Sequence, residues 1–214
     1  ETELRNGMNV LLFGDVAVYR PQGRVQLVAR AIKRDSGLGF RFLQFEALKK
    51  RLEEEGLFDL EQKRPLPPYP ERIGIVTSLQ GAALRDVLRS IGPYPARIII
   101  SPAQVQGEGA EESIVSALLA LQGRTDLIIV CRGGGSAEDL WCFNSEVVAR
   151  AVYACDSPVI SAVGHETDVT ITDFAADVRA ATPTAAAKMA VPDVEELRIR
   201  LRQSRVRIIR ALWS

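Results

Sequence analysis

Between residues 72 and 163 the spacing of hydrophobic positions changes period repeatedly. Short apolar runs at 73–77, 97–101, 127–131 and 158–163 are too brief for helices and rich in β-branched residues, so they read as strands. The stretches between them have helical spacing. In 81–91, Ala83, Leu84, Val87, Leu88 and Ile91 form one stripe, and 111–121 and 144–154 also read as helices. Strand and helix in alternation predict an open, Rossmann-like α/β fold, with a mostly parallel sheet and helices on its faces.

The flanking segments have other patterns. Runs 9–19 and 24–32 are β-rich and meet at Arg20-Pro21-Gln22-Gly23, which predicts a hairpin. A lone hairpin is marginally stable, so these strands are expected to end a small β-barrel or to borrow a sheet. Residues 40–55 place Phe42, Phe45, Leu48 and Leu52 on one helical face, and Gly56 ends the pattern. Pro65-Leu66-Pro67-Pro68-Tyr69-Pro70 predicts a stiff, extended connection, the clearest linker in the chain. In the last segment Val194, Leu197, Leu201, Ile208 and Ala211 follow an a/d pattern with Ser204 as its weak member. Six arginines and three acids, counted from Asp193, decorate it, as at the start of a coiled coil.

Composition narrows the classes. With 214 residues, 47% hydrophobic and 25% charged, the chain can bury a core, and one main domain with extensions is expected. Basic and acidic side chains balance at 27 each, so any argument for nucleic acid has to be local. Cys131, Cys142 and Cys155 have neither CxxC spacing nor a nearby histidine and read as small buried hydrophobes in a reducing, cytosolic setting. No run of about 18 apolar residues and no charged-then-apolar leader occurs, which argues against membrane spanning and secretion. The chain opens on Glu1, as expected of a mature or trimmed piece.

Two polar loops follow two of the strands. Arg132-Gly133-Gly134-Gly135-Ser136 comes directly after 127–131, and its glycines let backbone amides approach an anion. Ser136 then resembles a helix cap whose positive end faces the same place. The bland alternative is a tight turn beside a solvated arginine. Gly164-His165-Glu166-Thr167-Asp168 follows 158–163 and holds the only histidine. His165 can exchange a proton near neutral pH, and Asp168 three residues on can orient it; a capping or turn histidine is the alternative.

Other polar residues are less telling. Asp86, beside Arg85 and one turn before Arg89, reads as a surface ion pair. Asp168 and Asp173 are equally plausible as helix-start carboxylates, and a Mg²⁺ cluster of Asp86, Asp168 and Asp173 matches no recognised spacing. Thr182-Pro183 followed by Ala185, Ala186 and Ala187 predicts a capped, closely packed helix. Trp141 and Phe143 read as packing rather than as a platform for bases.

Taken in order, Ile73-Gly74-Ile75-Val76-Thr77-Ser78, Gly81-Ala82-Ala83 with Asp86, Arg132 to Ser136, Glu138-Asp139-Leu140-Trp141, Phe143-Asn144 and Ala162 to Asp168 resemble the exodeoxyribonuclease VII large-subunit family. The likeness runs from about Asn6 to the chain end, with departures at Ala137, where leucine is common, and Ala181, where proline is usual. The resemblance implies a nuclease that degrades single-stranded DNA from either end to oligonucleotides. It implies a β-hairpin remnant of an OB-fold over 1–34, a helical linker over 35–70, a catalytic α/β domain over 71–192 and the start of a long helical arm over 193–214. That arm would bind a small subunit, and a cytoplasmic setting with no membrane is expected.

The family's functional positions carry over to Asp86, Arg132, His165 and Asp168, while Gly133, Gly134, Gly135 and Ser136 would hold phosphate. His165 is then the base on water or the acid on the leaving oxygen. Asp168 orients it, and Asp86 completes the proton path or a metal site. No cofactor is expected to be required, with Mg²⁺ optional. Two other classes remain: a non-catalytic scaffold that binds single-stranded nucleic acid, and a doubly wound nucleotide-binding enzyme, for which the GxGxxG and Walker patterns are missing.

Overall fold

The computed structural model describes residues 10–19, 24–34, 38–134, 137–164 and 168–212. The chain divides into two units, Glu1–Lys50 and Arg51–Ser214.

In the first unit, β1 (Val10–Tyr19) and β2 (Arg24–Arg34) form the expected antiparallel hairpin, paired from Val10 with Arg34 to Tyr19 with Arg24. The register shifts between Phe13 and Gly14. A Cβ on Gly14 would lie 2.1 Å from the Val28 carbonyl oxygen, so the irregularity requires glycine. Phe13, Val16, Val25 and Leu27 are exposed on the hairpin. Helix α1 (Leu38–Glu54) runs across the division between the units.

The second unit is built on β3 (Arg72–Thr77), β4 (Arg97–Pro102), β5 (Leu127–Cys131), β6 (Val159–Ala162) and β7 (Val178–Arg179). Their order is β4-β3-β5-β6-β7 and every neighbouring pair is parallel. Strand order therefore reverses between β3 and β5, as in doubly wound folds. Helices α2 (Ala82–Ile91) and α6 (Pro183–Ala190) pack together on one face. There Ala83, Val87, Ala186, Ala187 and Ala190 meet Ile73, Ile75, Leu127, Ile129, Cys131, Ile160 and Ala162. The other layer holds α3 (Ala110–Leu119), α4 (Glu146–Tyr153) and the short α5 (Ile171–Ala175), and α7 (Val194–Leu212) ends the unit.

Every residue of β5 is buried, as its unbroken Leu-Ile-Ile-Val-Cys run demands of a strand covered on both faces. α6 starts as expected, with the Thr182 hydroxyl accepting from the Ala185 amide at 3.0 Å and Pro183 in the first turn. Two elements escaped the periodicity. β7 has two residues and α5 five, too few to show a period of 2 or 3.6. Residues 137–144 also form a 3-10 segment, so the helix expected over 144–154 begins only at Glu146, after Ser145.

The polyproline stretch leaves from an anchored point. The buried carboxylate of Asp177 accepts from the Arg64 amide at 2.8 Å, from the Arg64 guanidinium at 2.7 and 3.0 Å, and from the Val159 amide at 2.7 Å. Arg64 also donates to the Cys155 carbonyl, and Leu66 packs against the α2/α6 core. Among the described residues, no helix is long and apolar enough to cross a membrane.

Replacing Asp177 by alanine leaves two backbone amides without their acceptor, which should cost roughly 3 kcal/mol in urea unfolding. Burial works to raise the Asp177 carboxyl, but the bonds from Arg64 and Val159 hold it below the usual carboxylate range. Its stabilisation is therefore present above a normal carboxylate pKa and lost as pH falls. Asp177→Asn should show a shallower acid loss of stability than the native chain; an identical pH profile would remove this carboxylate from acid unfolding.

Candidate functional site

At the reversal point, the chain leaves β3 towards α2 on one face and leaves β5 towards α4 on the other, so the sheet opens at its carboxyl edge. A crevice of about 350 Å³ lies there. Ser78, Gln80 and Gly81 line it after β3, Gln104 and Gln106 after β4, and Arg132, Gly133 and Gly134 after β5.

Arg132 is only 4% exposed. Cys131 belongs to the core beneath α2 and α6, so strand alternation turns Arg132 to the opposite face. Its positive charge acts there on the Cys142 thiol. The Arg132 amide donates to the Ala162 carbonyl at 3.3 Å, which extends the β5–β6 ladder to the mouth of the crevice. A Cβ on Gly133 would sit 3.9 Å from the Ala83 amide nitrogen, so this loop lies against the first turn of α2. Gly81 caps that helix without a side-chain hydrogen bond, and Gly81 and Ala82 both line the crevice. Arg132 and the positive end of α2 thus both line the crevice, an arrangement suited to an anion. Gly135 and Ser136 lie outside the described residues.

The second loop is anchored at its described ends. Gly164 is buried just beyond β6, and a Cβ there would lie 1.9 Å from the Asp168 carbonyl oxygen. The chain returns too closely for any side chain at 164. Asp168 is exposed, and it lies outside the α5 cap, which is Thr170. The helix-start reading thus fails for Asp168 and holds for Asp173. Asp173 forms a capping box with Thr170, and its side chain is fully shielded. It accepts from the Ser161 hydroxyl at 2.6 Å, the Thr170 amide at 2.9 Å and the Thr170 hydroxyl at 3.0 Å. His165 lies outside the described residues.

Asp86 is half-buried on α2, one turn beyond Ala82. Among the described residues no three His, Cys, Asp or Glu side chains gather as a metal site. Of Asp86, Asp168 and Asp173, the last is committed to the α5 cap. Phe143 is buried, and its carbonyl accepts from the Thr172 hydroxyl at 2.7 Å, so it packs as expected; Trp141 is half-buried. The three cysteines are buried free thiols.

Gln104 and Gln106 were not among the candidates that sequence reasoning produced. The Gln104 amide donates to the carbonyls of Gln106 and Glu108, both at 2.9 Å, and shapes the β4 loop. Their sequence signal was only that of polar residues just after a strand. Relevance came from strand order, which seats β4 beside β3.

A family model described as exonuclease VII, large subunit, matches residues 57–214. The chain is similar to curated proteins named exodeoxyribonuclease 7 large subunit. That of Geobacillus kaustophilus (strain HTA426) is 53% identical over 211 residues, covering 97% of this chain and 47% of the relative. That of Lachnoclostridium phytofermentans is 52% identical over 198 residues, covering 91% and 49%. That of Bacillus subtilis (strain 168) is 50% identical over 211 residues, covering 97% and 47%. The chain spans about half the length of the curated relatives it matches.

Two outcomes follow from this geometry. Gly164→Ala should cost roughly 1–3 kcal/mol in thermal or urea unfolding, because backbone must move to admit the methyl group; unchanged stability would show that the loop gives freely. Burial pushes the thiols of Cys131, Cys142 and Cys155 each up to about 11. At pH 8 the native protein should resist an aromatic disulfide reagent that reacts with all three thiols in urea, and fast native labelling would contradict the packing. The raised values add stability below a normal thiol pKa, and it should fade between about pH 9 and 11.

Proposed function

Because this chain belongs to the exonuclease VII large-subunit family, we propose that its second unit carries the centre of a nuclease that hydrolyses phosphodiester bonds of single-stranded DNA, from both ends, to oligonucleotides. The observation that carries this reading is the convergence of buried Arg132, Gly133, Gly134 and the start of α2 on one crevice at the strand reversal. A phosphodiester is an anion whose charge grows towards the transition state, and preorganised donors in a shielded site stabilise that growth.

Arg132 is the clamp. Its planar fork and the amides of the glycine loop share the two non-bridging oxygens of the phosphodiester. His165 accepts a proton from the attacking water or donates one to the departing oxygen, and Asp168 orients it. Asp86 completes the proton path from α2. The chemistry runs through side chains, and no cofactor is required. Mg²⁺ held by Asp86 and Asp168 is the competing arrangement, and chelation separates the two.

The small subunit of the enzyme is the proposed partner, through the arm that starts with α7. Leu201 is 69% exposed there, and Ile199 and Ile208 are exposed with it. Three buried free thiols suit the cytoplasm, the proposed location.

The test is release of labelled oligonucleotides from single-stranded DNA by the full-length protein with its small partner, in excess chelator. Native protein should cleave, His165→Ala should not, and Arg132→Lys should lose about 100-fold or more, since a point charge cannot copy the fork. Cleavage that returns only with Mg²⁺ would overturn the metal-free chemistry. DNA binding without cleavage under any condition would make the protein a scaffold, and full activity of Arg132→Lys would remove the clamp.

A further inference from the structure

Arg179 ends β7 and is level with Ser161 of β6, which is level with Val130 of β5. Strands lie about 4.8 Å apart, so Arg179 stands roughly 10 Å across the sheet from β5. Val130 and Arg132 alternate with Cys131, so both point away from the α2/α6 core. Residues level with one another in a parallel sheet share a face, which puts Arg179 on the same side as Arg132. Its contact agrees, because the Arg179 Nε lies 3.7 Å from Oδ2 of Asp173, the partner of Ser161 on that face. Two arginines therefore stand on one face on either side of β6, Arg179 level with Val130 and Arg132 two residues further along the chain from Val130.

Asp173 pairs with Arg179 at 3.7 Å. The shielded carboxylate is tied to β6 through Ser161 and to the start of α5 through Thr170. It also borders the second loop, since a Cβ on Gly164 would lie 3.3 Å from its Oδ2. Three neutral donors bond this carboxylate besides the arginine, one on Oδ1 and two on Oδ2. Arg179 Nε is buried while the side chain as a whole is 31% exposed, so other atoms of the side chain carry its exposure. Simple neutralisation of a buried acid needs none of the side chain in solvent, and none of it at the edge where ligands bind.

We propose that Arg179 is a second phosphate-binding residue of the nuclease, with Asp173 as its positioning residue, and that it grips the backbone of single-stranded DNA beside the phosphate held by Arg132. The proposal rests on the nuclease reading above. Two cations on one face fix the direction of the strand through the site, which one cation does not. Arg179 adds binding that is the same in ground and transition states, so its loss falls on KM rather than kcat.

The experiment measures binding of a phosphorothioate-linked single-stranded oligonucleotide, which resists cleavage, to the full-length protein with its small partner across a salt series. Each phosphate contact on a single strand contributes about 0.7 to the slope of log K against log salt. Arg179→Gln should lower the slope by about that amount and raise KM roughly tenfold with kcat little changed, while Arg179→Lys keeps the slope. Asp173→Asn should raise KM less, and adding it to Arg179→Gln should raise KM no further.

An unchanged slope in Arg179→Gln overturns the proposal, whether melting is normal or lowered, because a purely structural ion pair moves melting and not the slope. If Arg132→Lys loses cleavage while Arg179→Gln keeps its slope, only this proposal falls. If the native protein neither binds nor cleaves the single strand, the nuclease reading falls with it.

Discussion

Burial of β5 on both faces is the constraint from which the rest of the second unit follows. A strand with water on neither side has to be apolar throughout, so polar function is displaced to the loop at its end. The same burial requires a helical layer on each face, and the chain supplies them by leaving β3 and β5 in opposite directions. The crevice is where those two departures part. Arg132, just past the end of that covered strand, is almost wholly buried and lines the crevice.

Two carboxylates hold β6 in place beside it. Asp177 takes the Val159 amide at the start of the strand, and Asp173 takes the Ser161 hydroxyl near its end. Each is shielded, and each also binds an arginine, Arg64 and Arg179 respectively. The first fastens the segment before the polyproline stretch to the sheet. The second fastens the base of the loop that carries His165 in sequence. A buried charge with its partners removed is costly, so both positions resist slippage of β6.

Much of this was legible from spacing. The apolar runs at 73–77, 97–101, 127–131 and 158–163 locate four of the five strands, because a strand buried on both faces leaves a continuous apolar trace. Thr182 and Pro183 announce α6, since capping acts within a few residues. β7 and α5 left no trace, being shorter than the periods that reveal such elements. Asp173 and Asp168 looked alike as helix-start acids, and only the Thr170 cap separates a structural carboxylate from an exposed one. Gln104, Gln106 and Arg179 gave no signal either, because their place at the carboxyl edge depends on which strands become neighbours.

The chain by itself determined the α/β class, the two polar loops after buried strands, the helix caps and the motifs of the exonuclease VII large-subunit family, because each is written in contacts or spacings local to the chain. Tertiary structure alone decided the strand order, and with it that the loops after β3, β4 and β5 close on one crevice and that Arg179 stands on the same face as Arg132. Parallel strands pair residues that are distant in the chain, and the order in which they pair is a matter of how helical layers cover the sheet, which no local pattern records.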